Sequence, residues 1–251
     1  RALLVNPPTG LYRRDDRCQC KVEDQTVQII FPPIELASIG AVLLAEGVQV
    51  WIRDYPARRA SWADYELDLQ ELEPDMVMVN VVTATSEQDF HALKLAKQIR
   101  GNDGVITLAK GEFMDAMGDV ALRDHSAVDY GFHGEIEQSL LRFLKGETLD
   151  DVPGLVWRNP DSSGEPAAIV RNADHPLLED LDALPWPARQ LLDNDLYRSP
   201  ETGHPLTVIH GNRGCPSKCI FCPAGAISGY RVRYRSPASV MAEIEECVNL
   251  F

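Results

Sequence analysis

Long apolar runs are missing from this chain. No stretch reaches the ~18–20 residues that a membrane-spanning helix needs, so no membrane span is expected. Positive charge is scarce: 24 Lys+Arg stand against 38 Asp+Glu, for a formal net charge of −14. That balance argues against a long groove for nucleic acid. No secretory leader is expected from the opening, since Arg1-Ala2-Leu3-Leu4-Val5 turns at once into Asn6-Pro7-Pro8. The opening arginine predicts a natural N-terminus that has been trimmed. Cysteine is sparse, six in 251 residues, and clustered cysteines without a leader point to a reducing, cytoplasmic setting. Hydrophobic residues still make up 45%, enough for a packed core in one large or two modest domains.

Three of the six cysteines fall within eight residues. Gly214-Cys215-Pro216-Ser217-Lys218-Cys219-Ile220-Phe221-Cys222 spells C-x-x-x-C-x-x-C, with an aromatic before the last cysteine. Three thiolates on one loop can hold three irons of a [4Fe–4S] cube and leave the fourth iron open to a ligand. Two other readings stay open. Zinc would need a fourth ligand, such as His210 or Cys247, and disulfides would pair the same residues. Cys18 and Cys20 form a lone C-x-C pair, expected to be structural or incidental. Cys247, on a helix expected over 237–251, is expected to be a small buried hydrophobe.

Upstream, short apolar runs alternate with helical stretches. Strands are expected at 2–5, 48–52, 76–82, 105–109 and 128–130, and helices at 34–45, 62–72, 86–100, 112–123 and 135–145, with Ser86 a candidate N-cap. The run at 76–82 is apolar throughout, as befits a strand buried on both faces. Five β–α pairs in sequence predict a doubly wound, Rossmann-like parallel sheet over 1–146. Its strand-to-helix loops would gather at one carboxyl edge, where ligands bind in such sheets.

Residues 147–205 differ in character. Seven of the 17 prolines lie between 147 and 200, and that stretch carries 4 basic and 11 acidic residues. A small hairpin is expected at 154–158 and 167–171. The rest reads as a connector, with Leu181, Leu184, Trp186 and Leu191 buried between two domains. Residues 201–251, with 5 basic and 4 acidic residues, are expected to supply a buried strand at 206–210, the cysteine loop, and an amphipathic helix.

This order of parts resembles the cobalamin-binding radical S-adenosylmethionine (SAM) enzymes. The likeness rests first on the cysteine motif. It extends to Asn6-Pro7-Pro8, to Pro32-Pro33-Ile34-Glu35-Leu36-Ala37-Ser38-Ile39-Gly40, to Val81-Val82-Thr83-Ala84-Thr85, and to the Asp-x-x-x-x-Gly-Glu-x-Glu pattern of Asp129 to Glu137. It implies a cobalamin domain over 1–146, a connector over 147–205, and from 206 the first β–α unit of a TIM-type radical SAM barrel that is truncated at residue 251. It implies Cys215, Cys219 and Cys222 as ligands of a [4Fe–4S] cluster, SAM on the open iron, and Phe221 near the SAM adenine. Thr83, Thr85, Lys110, Gly111, Gly134 and Glu135 would line the cobalamin rim. Where the family often has a Gly-Gly-x-His-like turn, this chain has Ala109-Lys110-Gly111-Glu112-Phe113. The D-x-H-x-x-G motif that supplies a cobalt-binding histidine elsewhere is absent, so His133 is expected in a loop or surface role.

The activity implied is methylation of an unactivated carbon of a small molecule, with an electron donor such as flavodoxin or ferredoxin. A radical cyclase or rearrangement enzyme of the anaerobic porphyrin cyclase type would share this layout. A reading of another class is a degenerate α/β binding module with a structural metal clip. The truncated barrel implies that residues 1–251 alone are inactive.

Overall fold

In the computed structural model, residues 1–9, 12–13, 20–21, 30–162, 167–174 and 176–250 are described. The elements are β1 (Ala2–Asn6), a two-residue ribbon β2 (Tyr12–Arg13) and β3 (Cys20–Lys21), α1 (Ile34–Ala45), β4 (Val50–Asp54), α2 (Tyr55–Arg58), α3 (Trp62–Leu72), β5 (Met76–Asn80), α4 (Ser86–Arg100), β6 (Ile106–Lys110), α5 (Glu112–Asp124), β7 (Tyr130–Phe132) and α6 (Glu137–Leu144). Then follow β8 (Leu155–Asn159), β9 (Ala168–Arg171), β10 (Asn212–Arg213), α7 (Ala224–Ser228), β11 (Arg233–Tyr234) and α8 (Pro237–Leu250). Cys18 lies outside the described residues, and Cys20 sits in the ribbon.

One seven-stranded sheet organises the chain, in the order β4-β1-β5-β6-β7-β8-β9. The first five strands are parallel, and β8 and β9 add to the β7 side antiparallel. Alternation along the strands explains why helices cover both faces. Ala2 and Leu4 of β1, with Met76 and Met78 of β5, join a cluster with Leu36, Ile39 and Leu43 of α1 and Leu140 of α6. Leu3, Val5, Val77 and Val79 enter a second cluster with Tyr65 and Leu69 of α3, Phe90 and Leu93 of α4, and Met114 and Leu122 of α5. This is the Rossmann-like arrangement expected. The chain winds one way from β1 to β4 and the other way from β1 to β5, so the topological switch lies between β1 and β5.

Local rules account for the elements. Ser61 and Asp64 form a reciprocal capping box that starts α3. Ser86 does not cap α4. It is the first helical residue, after the 3₁₀ turn of Thr83–Thr85, and Asp89 inside the helix accepts from the Val82 N–H at 3.0 Å and the Thr85 hydroxyl at 2.8 Å. The hairpin forms, but as an extension of the main sheet. Trp157 of β8 faces Tyr130 in register, and its ring is buried against the α1–α6 side.

The strand expected at 206–210 is a correction: those residues carry no ladder in the structure. A strand needs a neighbour to take its backbone groups, and here the partners are of another kind. Leu206 N–H donates to the Tyr197 carbonyl at 2.9 Å, and Arg189 holds Thr207 Oγ1 at 3.2 Å and the Val208 carbonyl at 2.7 Å. The stretch from Leu181 to Tyr197 packs on the α/β sheet, with Ala188 N–H donating to the Ala37 carbonyl at 2.9 Å. Leu181 is buried, while Leu184, Trp186 and Leu191 are half-buried. Tyr197 reaches further than any of them. Its hydroxyl donates to Asp54 Oδ2 at 3.0 Å, and Asp54 Oδ1 accepts from Asn6 Nδ2 at 2.6 Å, all three side chains being buried at the ends of β1 and β4. No described helix is long and apolar enough to cross a membrane.

Candidate functional site

The carboxyl ends of β5, β6 and β7 bring Thr83, Thr85, Lys110, Gly111, Gly134 and Glu135 to one edge of the sheet, because consecutive parallel strands there are neighbours. Thr85 is buried and spent on Asp89. Thr83 is exposed, and its N–H donates to Glu112 Oε1 at 2.9 Å. Gly111 has φ +112, and a Cβ there would stand 2.4 Å from Asn80 Oδ1 and 2.6 Å from the Val81 carbonyl oxygen. Glycine is therefore required just beyond the end of β6, against the end of β5. Asn80 Oδ1 is itself buried, and among the described residues no hydrogen-bond donor reaches it. Gly134 has φ +74 with open space where a Cβ would lie, and its N–H donates to Asp115 Oδ1 at 2.7 Å. Burial holds the Asp115 carboxyl above its ordinary pKa despite that bond.

Lys110 does not point freely outward. Its side chain is largely covered, and Nζ lies 2.9 Å from Glu35 Oε2 in the first turn of α1. The Lys110 ammonium holds the Glu35 carboxyl below the usual carboxylate range. His133 is buried rather than on the surface. Nδ1 lies 2.9 Å from Asp174 Oδ1, and Nε2 lies 3.1 Å from the Asn172 carbonyl oxygen. It ties the turn after β7 to the end of the hairpin, a loop role as expected though in a buried setting.

Glu135 is paired with the cysteine-bearing segment. Arg233 Nη2 donates to Glu135 Oε1 at 2.5 Å and Nη1 to Oε2 at 2.9 Å. Two residues on, Glu137 Oε1 accepts from Arg213 Nη2 at 2.5 Å. The turn after β7 therefore faces the segment that bears the cysteines. Sequence reasoning quoted both glutamates within a motif and passed over the arginines that flank the cysteines in sequence.

The cysteine loop itself is open. Cys215 is half-buried, Cys219 and Cys222 are exposed, and Cys247 of α8 is buried as expected. Phe221 is 86% exposed and packs against nothing substantial. Gly214, with φ +93, lets the loop close on itself, since a Cβ there would stand 2.2 Å from the Arg231 carbonyl oxygen. Cys215 N–H donates to the Gly229 carbonyl at 3.0 Å, and Cys222 N–H to the Cys219 carbonyl at 3.2 Å. Among the described residues, no three Cys, His, Asp or Glu side chains converge as they would around a metal ion. The donor set suits a cluster by its chemistry, with three thiols on one loop. The open edge at Thr83 and Gly134 suits a broad ligand lying across strand ends.

A shallow, solvent-open groove runs between α1, the connector and the residues leading into the loop, with Val42, Leu184, Trp186, His210 and Arg213 in its walls. Beside it, a buried ion pair fastens connector to helix. Arg189 Nη2 lies 2.6 Å from Glu243 Oε1 of α8, close enough for charge attraction though off the axis of a hydrogen bond, and Arg235 also pairs with Glu243.

Comparison with known proteins agrees with this arrangement. No family model matches the chain. It is 27% identical over 246 residues to an uncharacterised methyltransferase of Pyrococcus horikoshii, covering 96% of this chain and 49% of that one. It is also 27% identical, over 289 residues, to cytidylyl-2-hydroxyethylphosphonate methyltransferase of Streptomyces wedmorensis, covering 97% and 51%. The chain thus spans about half the length of the curated relatives it matches. Among solved structures, it resembles the cobalamin-dependent SAM radical enzyme OxsB with aqua-cobalamin bound, at TM-score 0.74 and 17% identity, over 99% of this chain and 31% of that one. It also resembles the radical SAM methyltransferase TsrM of Kitasatospora setae, at TM-score 0.65 and 20% identity, over 99% and 45%. At those identities the structural likeness speaks for the fold.

Proposed function

We propose that this chain is the cobalamin-binding and cluster-bearing part of a radical SAM methyltransferase that acts on a small molecule in the cytoplasm, with a flavodoxin- or ferredoxin-like electron donor. The observation that carries the reading is the contact of the turn after β7, at the sheet's carboxyl edge, with Arg213 and Arg233, which flank the C-x-x-x-C-x-x-C loop, made through Glu137 and Glu135. The likeness in sequence to methyltransferases supports the reaction class. Cys215, Cys219 and Cys222 would hold a [4Fe–4S] cluster with one iron open to SAM. Thr83, Gly111 and Gly134 would border cobalamin, and His133, held by Asp174 and Asn172, would not serve as its ligand. When bound, these groups supply the electron that cleaves SAM and the methyl group that is transferred. The protein's part is to hold the two near one substrate, because reacting groups must approach within roughly 3–3.5 Å.

Anaerobic reconstitution of the chain with iron and sulfide tests the reading. About four irons and four sulfides per chain are expected, with a broad brown absorption. Cys215→Ala, Cys219→Ala and Cys222→Ala should each abolish it, and Cys20→Ala should not. Full cluster retention in Cys219→Ala, or a colourless protein holding one zinc, would defeat it. Added hydroxocobalamin should bind with a spectrum indifferent to His133→Asn.

A further inference from the structure

The cysteine loop has a neck. β10 and β11 pair antiparallel, with Asn212 opposite Tyr234 and Arg213 opposite Arg233, and residues 214–232 form the excursion between them. Two guanidinium groups thus stand directly across a two-residue ladder. Like charges in that position repel and destabilise a ladder, and one so short has little else to hold it. The repulsion is answered from the α/β domain. Glu135 takes Arg233 in a bidentate pair, at 2.5 and 2.9 Å, and stands 3.8 Å from Arg213. Glu137 takes Arg213 at 2.5 Å. The central pair is well shielded, with side-chain exposure of 2% for Arg233 and 8% for Glu135.

We infer that the Gly134-Glu135-Ile136-Glu137 turn is a clamp on the neck of the cysteine loop, which fixes the loop's position against the carboxyl edge of the sheet. Glu135, Glu137, Arg213 and Arg233 are positioning residues in this role. Arg233 adds two anchors of its own, donating to the Leu178 carbonyl at 2.6 Å and to the Ser228 carbonyl at 2.8 Å, so connector, loop and turn meet on one side chain. The geometry explains why two acidic residues stand at an i, i+2 spacing here: each meets one arginine of a cross-strand pair. The inference rests on the proposed function only for what the loop carries. The clamp itself follows from the charges.

Hydrogen exchange at two amides reads the clamp without any cofactor. Arg235 N–H donates to the Gly211 carbonyl at 3.0 Å, and Cys215 N–H to the Gly229 carbonyl at 3.0 Å, so both report opening of the neck. In Glu135→Gln, these amides should exchange on the order of 100-fold faster, because a buried guanidinium pair loses its counter-charge. Amides of β5 should stay within about threefold of the parent. Glu137→Gln should give a smaller increase of the same kind, and serves if Glu135→Gln fails to fold. The double variant Glu135→Gln/Arg233→Gln should recover part of the protection, because it removes the repulsion as well as the attraction. A packing contact alone would not be rescued by a second deletion. The clamp is overturned if either glutamate variant leaves the two amides within about threefold of the parent, or if the double variant exchanges as fast as Glu135→Gln. Iron uptake measured on the same samples keeps the two readings apart. Loosened amides in a chain that never takes up iron would sink the cofactor assignment and keep the clamp.

Discussion

The carboxyl edge of the sheet and the cysteine loop are opposite kinds of site. At the edge, shape is set by backbone. Gly111 lies against Asn80 and Val81, Asp89 gathers the Val82 N–H and the Thr85 hydroxyl, and Asp54 joins Asn6 to Tyr197. In the loop, reactive side chains project from a segment whose own packing is slight, with Ile220 fully exposed and Phe221 nearly so. What steadies the loop lies at its neck and is borrowed from the edge. The difference teaches that stability and chemistry are housed separately here. Substitutions at the edge should register as folding free energy. Substitutions at the loop tip should register in what the loop binds.

The largest effect expected on stability is at Gly111. Any Cβ must be accommodated at φ +112 against a backbone carbonyl 2.6 Å away. Backbone strain and overpacking together cost about 3 kcal/mol or more. Gly111→Val should therefore lower the midpoint of urea unfolding sharply or leave the protein insoluble. A midpoint within error of the parent would show that the edge is not prebuilt, and would erase the contrast with the loop.

Tyr197→Phe comes next. It deletes a buried hydroxyl that donates to Asp54 Oδ2 and ties the connector to the ends of β1 and β4. Loss of one hydrogen bond to a buried carboxylate costs about 1–3 kcal/mol. The expected result is a lower melting temperature without loss of iron uptake, since the bond lies on the edge side of the comparison. Equal loss of iron would mean that the two regions are coupled more tightly than the clamp alone provides.

A smaller effect should appear with pH. Burial and the Arg171 guanidinium push the His133 pKa below its ordinary value, although Asp174 and Asn172 oppose them. The folded protein therefore holds this imidazole neutral more firmly than the unfolded chain does. Its stabilising contribution is full above about pH 6.5, the ordinary histidine value, and is lost as pH falls through the lower folded value. Melting temperature should decline over that window and decline less in His133→Asn. An identical decline in both proteins would assign the titration to another group.

Much of this architecture is legible in the residues. Five strand–helix pairs follow from apolar runs bounded by glycine and proline, and both faces of the sheet follow from their alternation. The boundaries erred both ways: the run expected to reach 82 ends at Asn80, whereas other strands run on further than expected. Three strands expected to end at 52, 109 and 130 end instead at Asp54, Lys110 and Phe132. Apolar character fades toward the carboxyl edge in two of the three, where Arg53-Asp54 and Lys110 continue the ladder with polar side chains. The strand expected at 206–210 failed for another reason: its apolar run is genuine, but the described residues provide no flanking strand. The clamp was hidden because its partners lie 76 and 98 residues apart in sequence. No local period announces such a pair. The traces were Arg213 before the first cysteine, Arg231, Arg233 and Arg235 beyond the last, and the Gly-Glu-x-Glu pattern of Gly134 to Glu137.

The smallest effect on stability belongs to Phe221, and it sharpens the comparison most. A phenyl ring that is 86% exposed gains almost nothing from folding. Phe221→Ser should leave thermal stability within about 0.5 kcal/mol of the parent, as at an ordinary surface position. The ring stands between two cysteines in sequence, where a bound adenine could cover it and bury apolar area worth about 25 cal/mol per Å². The loss should therefore appear only in affinity for SAM, measured on the reconstituted protein by equilibrium dialysis, with iron content unchanged. A fall of several degrees in melting temperature would show that the ring is already packed and that the loop is built like the edge. Unchanged affinity with unchanged stability would remove Phe221 from the site and leave the three cysteines as the loop's whole contribution.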